Sequence, residues 1–375
     1  MSNANWRHFD FWLLGAVAIL TIIGVAMINS TIAGNIDVAN NAQRQLTFAV
    51  IGFVFVFIVA AIDYHLWSSV STTVYWATFA MLVVLNVVAA AVFGSARWFK
   101  TALVNIQPSE LAKIVLILTV SNYFARNMKN MHQFRYAFNS LLMAFGLVIW
   151  VLIQPNMSTS ILMMVIWFAL WWASGLYFKH FLAFVGIGIA LILVIIPLFP
   201  VLQEAKVIND YQIKRIQTFL APEAEGGTYG DTYNIQQAQI SIGSGGLLGQ
   251  GYGQGPQVQL RFLKVRWSDF IFSAMAHEFG FVGSLVMMGL QLFIVYRCLR
   301  AARKAADTYG GLICYGVATL LAFQAMVNIG VNLKLLPATG LPLPFISYGG
   351  SSLLSLLLGI GLVESVMLRH KSLEF

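Results

Sequence analysis

Long uninterrupted apolar runs alternate with short polar segments along most of the chain. The first run, residues 11–28, has 18 residues without a charge. At about 1.5 Å per helical residue, that length crosses most of a hydrocarbon core about 30 Å thick. Runs such as 142–153 lack the alternating polarity of membrane-barrel strands, so they indicate helices. Further runs lie at 47–62, 70–93, 108–124, 137–153, 160–178, 181–200, 269–296, 311–333 and 346–368. The pattern predicts an all-α polytopic integral membrane protein with about ten transmembrane helices.

One long polar segment, residues 201–268, separates the seventh run from the eighth. Connections this long are usually functional or disordered, and this one is patterned. Helical spacing is found at Tyr211, Ile213, Ile216, Phe219 and Leu220. Residues 233–242, with three glutamines, come next, and a glycine-dense stretch lies at 241–255. We therefore expect a single membrane domain, residues 1–375, in which 201–268 is a large loop of short amphipathic pieces on one membrane surface.

The basic residues between the runs are divided unevenly between the two sides of the membrane. With a cytoplasmic N-terminus, eleven Lys and Arg fall in cytoplasmic segments, and the short outer loops hold four: Arg44, Arg97, Lys100 and Lys334. Six cations of the long loop are left aside, because the positive-inside rule applies to short loops. This bias predicts that both termini are cytoplasmic and that the 201–268 loop is extracytoplasmic.

Composition narrows the class of protein further. Of the residues, 59% are hydrophobic and 10% are charged, where soluble domains carry about 25% charged residues, so a soluble globular protein is excluded. The net charge of +8 is not gathered in a basic stripe interleaved with aromatic residues, so nucleic acid is not an expected partner. Cys298 and Cys314 have no metal-type spacing and are expected to be structural thiols.

Two charged residues lie inside the fourth apolar run. Ionisable side chains within a membrane are costly, which makes them candidates for function. Glu110 and Lys113 follow Pro108, which suits the first position of a helix, and at a spacing of three residues they share one helix face. A buried ion pair that fixes helix packing and a pair that grips substrate fit this pattern equally well.

Asp269 begins the eighth run directly after three cations, Arg261, Lys264 and Arg266. A carboxylate at the outer interface beside such a cluster stays ionised and can still face a lipid-borne anion. The alternative is a helix N-cap, in which Ser268 or Asp269 accepts hydrogen bonds from orphan backbone amides. Spacing alone does not choose between the two.

His277 and Glu278 lie deeper in the same run. At about 100° per residue, Glu278 falls opposite Asp269, which excludes the close carboxylate pair of glycoside hydrolysis and favours a structural role. For His277, a packed side chain bonded to a neighbouring helix is favoured over a cavity residue. The glycine-dense stretch 241–255 has no complete nucleotide-binding motif, and loop flexibility is favoured there over an anion nest of backbone amides.

Prolines interrupt the chain before the tenth run, within residues 336–352. Irregular backbone at membrane depth is tolerated where protein covers it or where it lines a watery cavity. This segment therefore predicts a cavity on the outer side, with Ser347 and Ser351 as candidate substrate-binding residues.

Several blocks of the sequence resemble, in order, those of the SEDS family of membrane glycosyltransferases (shape, elongation, division and sporulation proteins). They lie at 107–113, 210–212 with Arg215 and Ile216, 242–251, 269–272, 339–340 and 344–352. The resemblance covers essentially the whole chain and implies the SEDS fold. Residues 209–212 and Pro342 favour the branch that acts in cell elongation over the branch that acts in division.

The resemblance implies a peptidoglycan glycosyltransferase that polymerises lipid II into glycan strands on the outer face of the bacterial cytoplasmic membrane during cell-wall elongation. The implied partners are lipid II, a class B penicillin-binding protein transpeptidase and membrane proteins of the elongation complex. Asp269 matches the family's catalytic aspartate and is expected to act as general base. The hypothesis requires no cofactor and leaves open a divalent cation, Mg²⁺ or Mn²⁺, that helps to neutralise the pyrophosphate. The expected substrate-binding residues are Arg97, Lys100, Glu110, Lys113, Arg215, Arg261, Lys264, Arg266, Ser347 and Ser351.

Three blocks depart from the family pattern. Asn156 stands where the block Q-P-D-L-G-T has a carboxylate, which puts any role for a charge there in doubt. His277 replaces a glutamate in A-E-E-F-G-F, and Trp267 and Ser268 replace the residues that usually precede the catalytic aspartate. These changes touch the expected site.

Two other classes of function remain open. A lipid II flippase or an ion-coupled transporter would use Glu110, Lys113 and Glu278 as its intramembrane charges. A non-catalytic scaffold for envelope enzymes would bind its partners through lipid-facing surfaces.

Overall fold

The computed structural model describes residues 6–32, 38–92, 99–100, 105–130, 132–154, 156–175, 177–184, 186 and 231–370. Within these residues, nine helices have 17 residues or more, and two shorter ones lie in the long polar segment. In chain order they are α1 (Phe11–Ile32), α2 (Asn41–Ala61), α3 (Tyr64–Val92), α4 (Pro108–Asn127), α5 (Phe134–Ile153), α6 (Met157–Ala173), α7 (Asp231–Ser244), α8 (Pro256–Gln259), α9 (Ile271–Lys304), α10 (Thr308–Asn332) and α11 (Gly350–Leu368). Short 3₁₀ turns occur at Trp6–His8 and Met128–Asn130.

The prediction of an all-α membrane protein is confirmed. Nine of the ten apolar runs coincide with the long helices, and most of the seventh run, 181–200, lies outside the described residues. Seven of the helices are long and apolar enough to cross a membrane. The other two are α6, with 17 residues, and α4, which carries Glu110 and Lys113. The number of spans and the position of the 201–268 loop stay predictions.

Polar residues fix where several helices begin. Pro108 occupies the first turn of α4, where a missing backbone N–H costs nothing. The side chain of Asn156 caps α6 by accepting from Thr159 N, and that of Asp307 caps α10 by accepting from Gly310 N at 2.9 Å. Only three residues separate α9 from α10, so these two helices form a tight antiparallel pair.

A short β-hairpin joins α3 to α4 and was not predicted. Its strands, β1 (Phe99–Lys100) and β2 (Asn105–Ile106), are antiparallel, with Phe99 opposite Ile106 and Lys100 opposite Asn105. Two residues per strand are too few for the alternating pattern that signals a strand in a sequence. The hairpin lies between the end of α3 and the start of α4, so these two helix ends are at the same end of the bundle.

Short connections place the helix ends in two groups. The group that we call the Asp269 end contains the end of α10 and the starts of α2, α4, α6, α9 and α11. The Asp10 end contains the start of α1 and the ends of α9 and α11. Side chains link distant segments at each end: Gln45 Nε2 donates to Ser347 O at 3.2 Å, and Arg297 Nε donates to Asp10 Oδ2 at 2.7 Å.

Helices α10 and α11 form the centre of the bundle. Their apolar spans are 67% and 83% buried, compared with 28–44% for the other candidate spans. Helix α11 packs closely on α2, since a Cβ at Gly361 would lie 3.2 Å from Val56 O. The outer helices instead present large apolar side chains on the bundle surface, such as Ile22, Trp172 and Leu292. That surface suits a lipid environment.

Candidate functional site

Asp269 lies in the turn that precedes α9, and two asparagines of α10 hold its backbone. Asn328 Nδ2 and Asn332 Nδ2 each donate to Asp269 O at 3.1 Å. Both asparagines are buried. Asn332 Oδ1 also accepts a hydrogen bond from Ser273 N at 3.1 Å, which ties Asn332 to the start of α9. The carboxylate is therefore carried on a backbone segment that α10 fixes in place.

Asp269 is partly exposed. Ser268 Oγ donates to Asp269 Oδ1 at 3.0 Å. Gly340, with φ 73°, lies over the other oxygen, since a Cβ there would be 3.6 Å from Oδ2. The structure places the N-cap of α9 at Phe270, with the helix beginning at Ile271, so neither Ser268 nor Asp269 is the cap residue.

Residues 333–349 form an irregular connection that covers the Asp269 turn. Ser347 Oγ donates to Ser268 O at 2.7 Å, and Tyr348 N donates to Trp267 O at 2.9 Å. Ser158 Oγ at the start of α6 donates to Thr339 O at 2.6 Å. The proline-interrupted segment thus packs against the turn that carries the carboxylate. The hydroxyl of Ser347 is engaged with backbone, and its predicted contact with substrate stays a prediction.

Backbone strain is concentrated around this turn. Among the described residues other than glycine, four have positive φ: Arg261 (63°), Val265 (50°), Lys334 (59°) and Phe345 (64°). All four lie in the segment just before Asp269 or in the connection that covers it. Such conformations are uncommon and gather at functional sites, where the surrounding structure holds them in place.

The three cations before Asp269 have different environments. Arg261 and Lys264 are exposed, and Lys264 Nζ lies 5.7 Å from the centre of the Tyr233 ring. Arg266 is 3% exposed, and its Nε donates to Thr31 O at 2.6 Å. Burial, followed by the charge of Arg261, lowers the pKa of Arg266 from its ordinary value. Arg266 therefore fastens the Asp269 turn to the end of α1, and its predicted contact with substrate stays a prediction.

The ion pair predicted from the spacing of Glu110 and Lys113 is present. Lys113 Nζ lies 2.7 Å from Glu110 Oε2, and Ser355 Oγ of α11 donates to the same oxygen at 3.1 Å. The two residues are 4% and 0% exposed. Next to them, Gln107 N donates to Ser351 Oγ at 3.2 Å, so the start of α4 is joined to the start of α11. The pair lies at the same end of the bundle as Asp269.

Three of the predicted substrate-binding residues cannot be placed by their side chains. Arg97 and Arg215 lie outside the described residues, and Lys100 is described only through the backbone of β1. Within the described part of the chain, no group of three or more His, Cys, Asp or Glu is placed to hold a metal ion. The involvement of a divalent cation stays a prediction.

Helix α9 is broken at Gly280, where φ is 68° and ψ is −164°. The glycine-dense stretch repairs the break with backbone hydrogen bonds. Gln250 N and Gly251 N each donate at 3.0 Å, to His277 O and Glu278 O respectively. On the other side of the break, Phe281 N donates to Gly246 O at 2.9 Å. Loop flexibility does not describe residues 246–251, because two of their amides and two of their carbonyls bind the interrupted helix.

His277 and Glu278 anchor the broken helix to its neighbours. His277 Nδ1 lies 3.0 Å from Ser244 Oγ and 3.1 Å from Ser241 O, both in α7, which confirms a packed histidine bonded to a neighbouring helix. Glu278 Oε1 accepts a hydrogen bond from Ser30 Oγ of α1. Both side chains are buried, and the structural role expected for Glu278 agrees with this contact.

Substituting Gly249 with alanine is expected to destabilise the protein strongly. A Cβ there would lie 2.1 Å from Glu278 O, and the residue has φ 83°, so the variant strains its own backbone and pushes the helix break apart. Gly246→Ala is the matched control: its φ is 60°, but its Cβ would meet nothing within 4 Å, which leaves only a conformational cost of about 1–2 kcal/mol. Thermal unfolding in detergent compares the two. An equal fall in Tm would show that the close approach to α9 does not matter.

The fold and the site together define a multi-pass membrane protein with a carboxylate fixed at one end of a helical bundle. A family model described as Cell cycle protein, FTSW_RODA_SPOVE, matches residues 9–372. The chain belongs to this FtsW/RodA/SpoVE family, which confirms the SEDS resemblance. The Asp269 turn and its covering connection both lie within the matched residues.

Relatives and a solved structure agree with this assignment. The chain is 32% identical to the "Probable peptidoglycan glycosyltransferase FtsW" of Hydrogenovibrio crunogenus, over 99% of this chain and 96% of that protein. It is 31% identical to the "Peptidoglycan glycosyltransferase MrdB" of Escherichia coli K12, over 98% of this chain and 95% of that protein. The fold also matches a chain of the solved structure "Structural coordination of polymerization and crosslinking by a peptidoglycan synthase complex". The TM-score is 0.78 and the identity 28%, and the match covers 96% of this chain and 97% of that chain.

Proposed function

We propose that the chain is a peptidoglycan glycosyltransferase that polymerises lipid II, with Asp269 as its general base. The observation that carries this proposal is the Asp269 turn: Asn328 and Asn332 hold the backbone of Asp269, and the residue stays partly exposed. Relatives named as peptidoglycan glycosyltransferases match nearly the whole chain, which supports the same reaction here.

The reaction needs one well-placed base. An acceptor sugar hydroxyl attacks the anomeric carbon of a lipid-linked donor, the bond from that carbon to the pyrophosphate oxygen breaks, and the undecaprenyl pyrophosphate leaves with the bonding electrons. Asp269 accepts the hydroxyl proton, and the configuration at the anomeric carbon is inverted. Pyrophosphate is a good leaving group, so no general acid is required. A fixed backbone suits this task, because positioning of the base and the two lipids supplies much of the rate.

Cations near Asp269 neutralise the leaving group in this mechanism. Arg261 and Lys264 are exposed on the same segment and supply positive charge where pyrophosphate charge develops. Arg266 is buried, and its hydrogen bond to Thr31 O holds this segment against α1. A divalent cation, Mg²⁺ or Mn²⁺, would add to this neutralisation.

In the proposed setting, the Asp269 end faces the outside of the bacterial cytoplasmic membrane and both termini are cytoplasmic. The excess of Lys and Arg in short segments at the Asp10 end supports this orientation. The proposed partners are a class B penicillin-binding protein and membrane proteins of the elongation complex, and the match to a peptidoglycan synthase complex supports a cross-linking partner. A RodA-type role in elongation and cell shape rests on residues 209–212, which are outside the described residues, and on Pro342.

Glycan polymer formed from lipid II by the purified protein tests the proposal. We expect polymer, and more of it when the class B penicillin-binding protein of the same organism is added. Absence of polymer with the partner present would contradict the glycosyltransferase assignment. Dye-quenching assays on vesicles with labelled lipid II would then distinguish a flippase, which moves lipid between leaflets, from a scaffold, which does not.

A further inference from the structure

A pocket of about 300 Å³ opens at the Asp10 end, far along the bundle from Asp269. Four elements form it: the 3₁₀ turn before α1, the first turn of α1, the last turns of α9, and the end of α11. Its ionisable lining is predominantly basic and consists of Arg7, His8, Asp10, Arg297, Arg300, Lys304 and His370. The proposed glycan chemistry uses none of these residues.

The single carboxylate of this lining is already neutralised. Asp10 is buried and pairs with Arg297, whose Nε donates to Asp10 Oδ2 at 2.7 Å. Behind it, Asp10 N donates to Glu364 Oε2 at 2.9 Å. Arg300 and Lys304 are exposed, and within the described part of the chain no carboxylate lies within 4.0 Å of either. The mouth of the pocket therefore carries excess positive charge.

The positive charge of the pocket also affects the pKa of His8. Its ring lies edge-on to the ring of His370, with centroids 4.4 Å apart. Burial first, and then the neighbouring His370, Lys304 and Arg7, lower the pKa of His8 from its ordinary value. The neighbouring positive charges thus add to burial in disfavouring a further proton on His8.

The pocket adjoins an apolar surface at the boundary of the membrane. Phe11 and Trp12 line it from the first turn of α1, and they are 67% and 73% exposed. Helix α1 is one of the apolar spans, so its first turn marks a lipid–water interface, where tryptophan is enriched. A ligand that fills the pocket meets cations on one side and exposed aromatic rings on the other.

We propose that this pocket binds the phosphate headgroup of an anionic phospholipid, with Arg300 and Lys304 at the phosphate oxygens and the acyl chains against Phe11 and Trp12. Basic pockets between spanning helices bind anionic headgroups because the charges meet in a poorly screened interface. A free phosphate ion would satisfy the cations, but it would leave the exposed aromatic surface uncovered. The site is separate from the glycan-forming site and does not depend on the proposed function.

Lipid binding by the full-length purified protein tests this site. Native mass spectrometry is used to titrate detergent-solubilised protein with phosphatidylglycerol and, separately, with zwitterionic phosphatidylcholine. The test variant is Arg300→Gln/Lys304→Gln. The control is Lys129→Gln/Arg303→Gln, which removes two exposed charges at the same end from residues that do not line the pocket. Lys304→Gln alone serves if the double variant does not fold.

Each interfacial cation contributes about 1 kcal/mol, or roughly fivefold in affinity, so the test variant is expected to bind phosphatidylglycerol about 25-fold more weakly. Lys304→Gln alone should lose about fivefold, and the control should stay within twofold of the unmodified protein. Equal binding of the two lipids, or equal losses in the test and control variants, would overturn the proposal. Full displacement of the lipid by millimolar inorganic phosphate would show an anion site without lipid selectivity, and would overturn it as well.

Discussion

Asp269→Asn is expected to reduce lipid II polymerisation by the purified protein by a factor of about 10² to 10⁴, the range that general base catalysis contributes. Asparagine has nearly the same shape and can still accept a hydrogen bond from Ser268 Oγ, but its amide cannot take the acceptor's proton. The bonds from Asn328 and Asn332 go to the backbone oxygen, so they persist in the variant. The measurement compares the initial rate of glycan polymer formation by the variant with that of the unmodified protein.

A neighbouring substitution provides the control for Asp269→Asn. Ser268→Ala removes the hydroxyl that donates to Asp269 Oδ1 and leaves the carboxylate in place. One such hydrogen bond contributes about 1 kcal/mol, so the rate should fall by roughly fivefold. Thermal unfolding should be similar for both variants. Activity of Asp269→Asn within threefold of the unmodified protein would remove Asp269 from the chemistry and leave the cations as the functional group of this segment.

The helices could be predicted from the sequence because lipid and protein interior both favour apolar side chains. Long apolar runs therefore marked nine helices, and Pro108 correctly marked the start of α4. The break in α9 could not be predicted, since Gly280 lies in an apolar run like other glycines in spans. Its partner, residues 245–255, is distant in sequence, and backbone-to-backbone pairing leaves no side-chain pattern to detect.

The carboxylate of the site could be predicted, but the groups that hold it could not. Asp269 stood out as a charge at the start of a span. Asn328 and Asn332 were missed, although two asparagines four residues apart in the apolar helix α10 were a usable signal. The sequence also placed Arg261, Lys264 and Arg266 in one cluster. Only the structure separates the buried Arg266, bonded to Thr31 O, from its exposed neighbours.

Lys113→Met is expected to be the most destabilising substitution among the charged residues of the site. It leaves the buried Glu110 carboxylate with Ser355 Oγ as its neighbour and no cation, at a cost of about 3–5 kcal/mol. Thermal unfolding in detergent should show a large fall in Tm. A fall no larger than that of an exposed substitution such as Lys129→Met would show that the loss of Lys113 beside Glu110 has little effect on stability.

The double variant Glu110→Gln/Lys113→Met separates the two interpretations of this pair. Removing both charges leaves hydrogen-bonding and apolar groups of similar volume, so most of the lost stability should return. We expect polymerisation to stay at least tenfold below that of the unmodified protein. A buried ion pair gives little net stability, so packing alone does not account for two charges at the same end of the bundle as Asp269. Recovery of activity together with stability would instead assign Glu110 and Lys113 to helix packing.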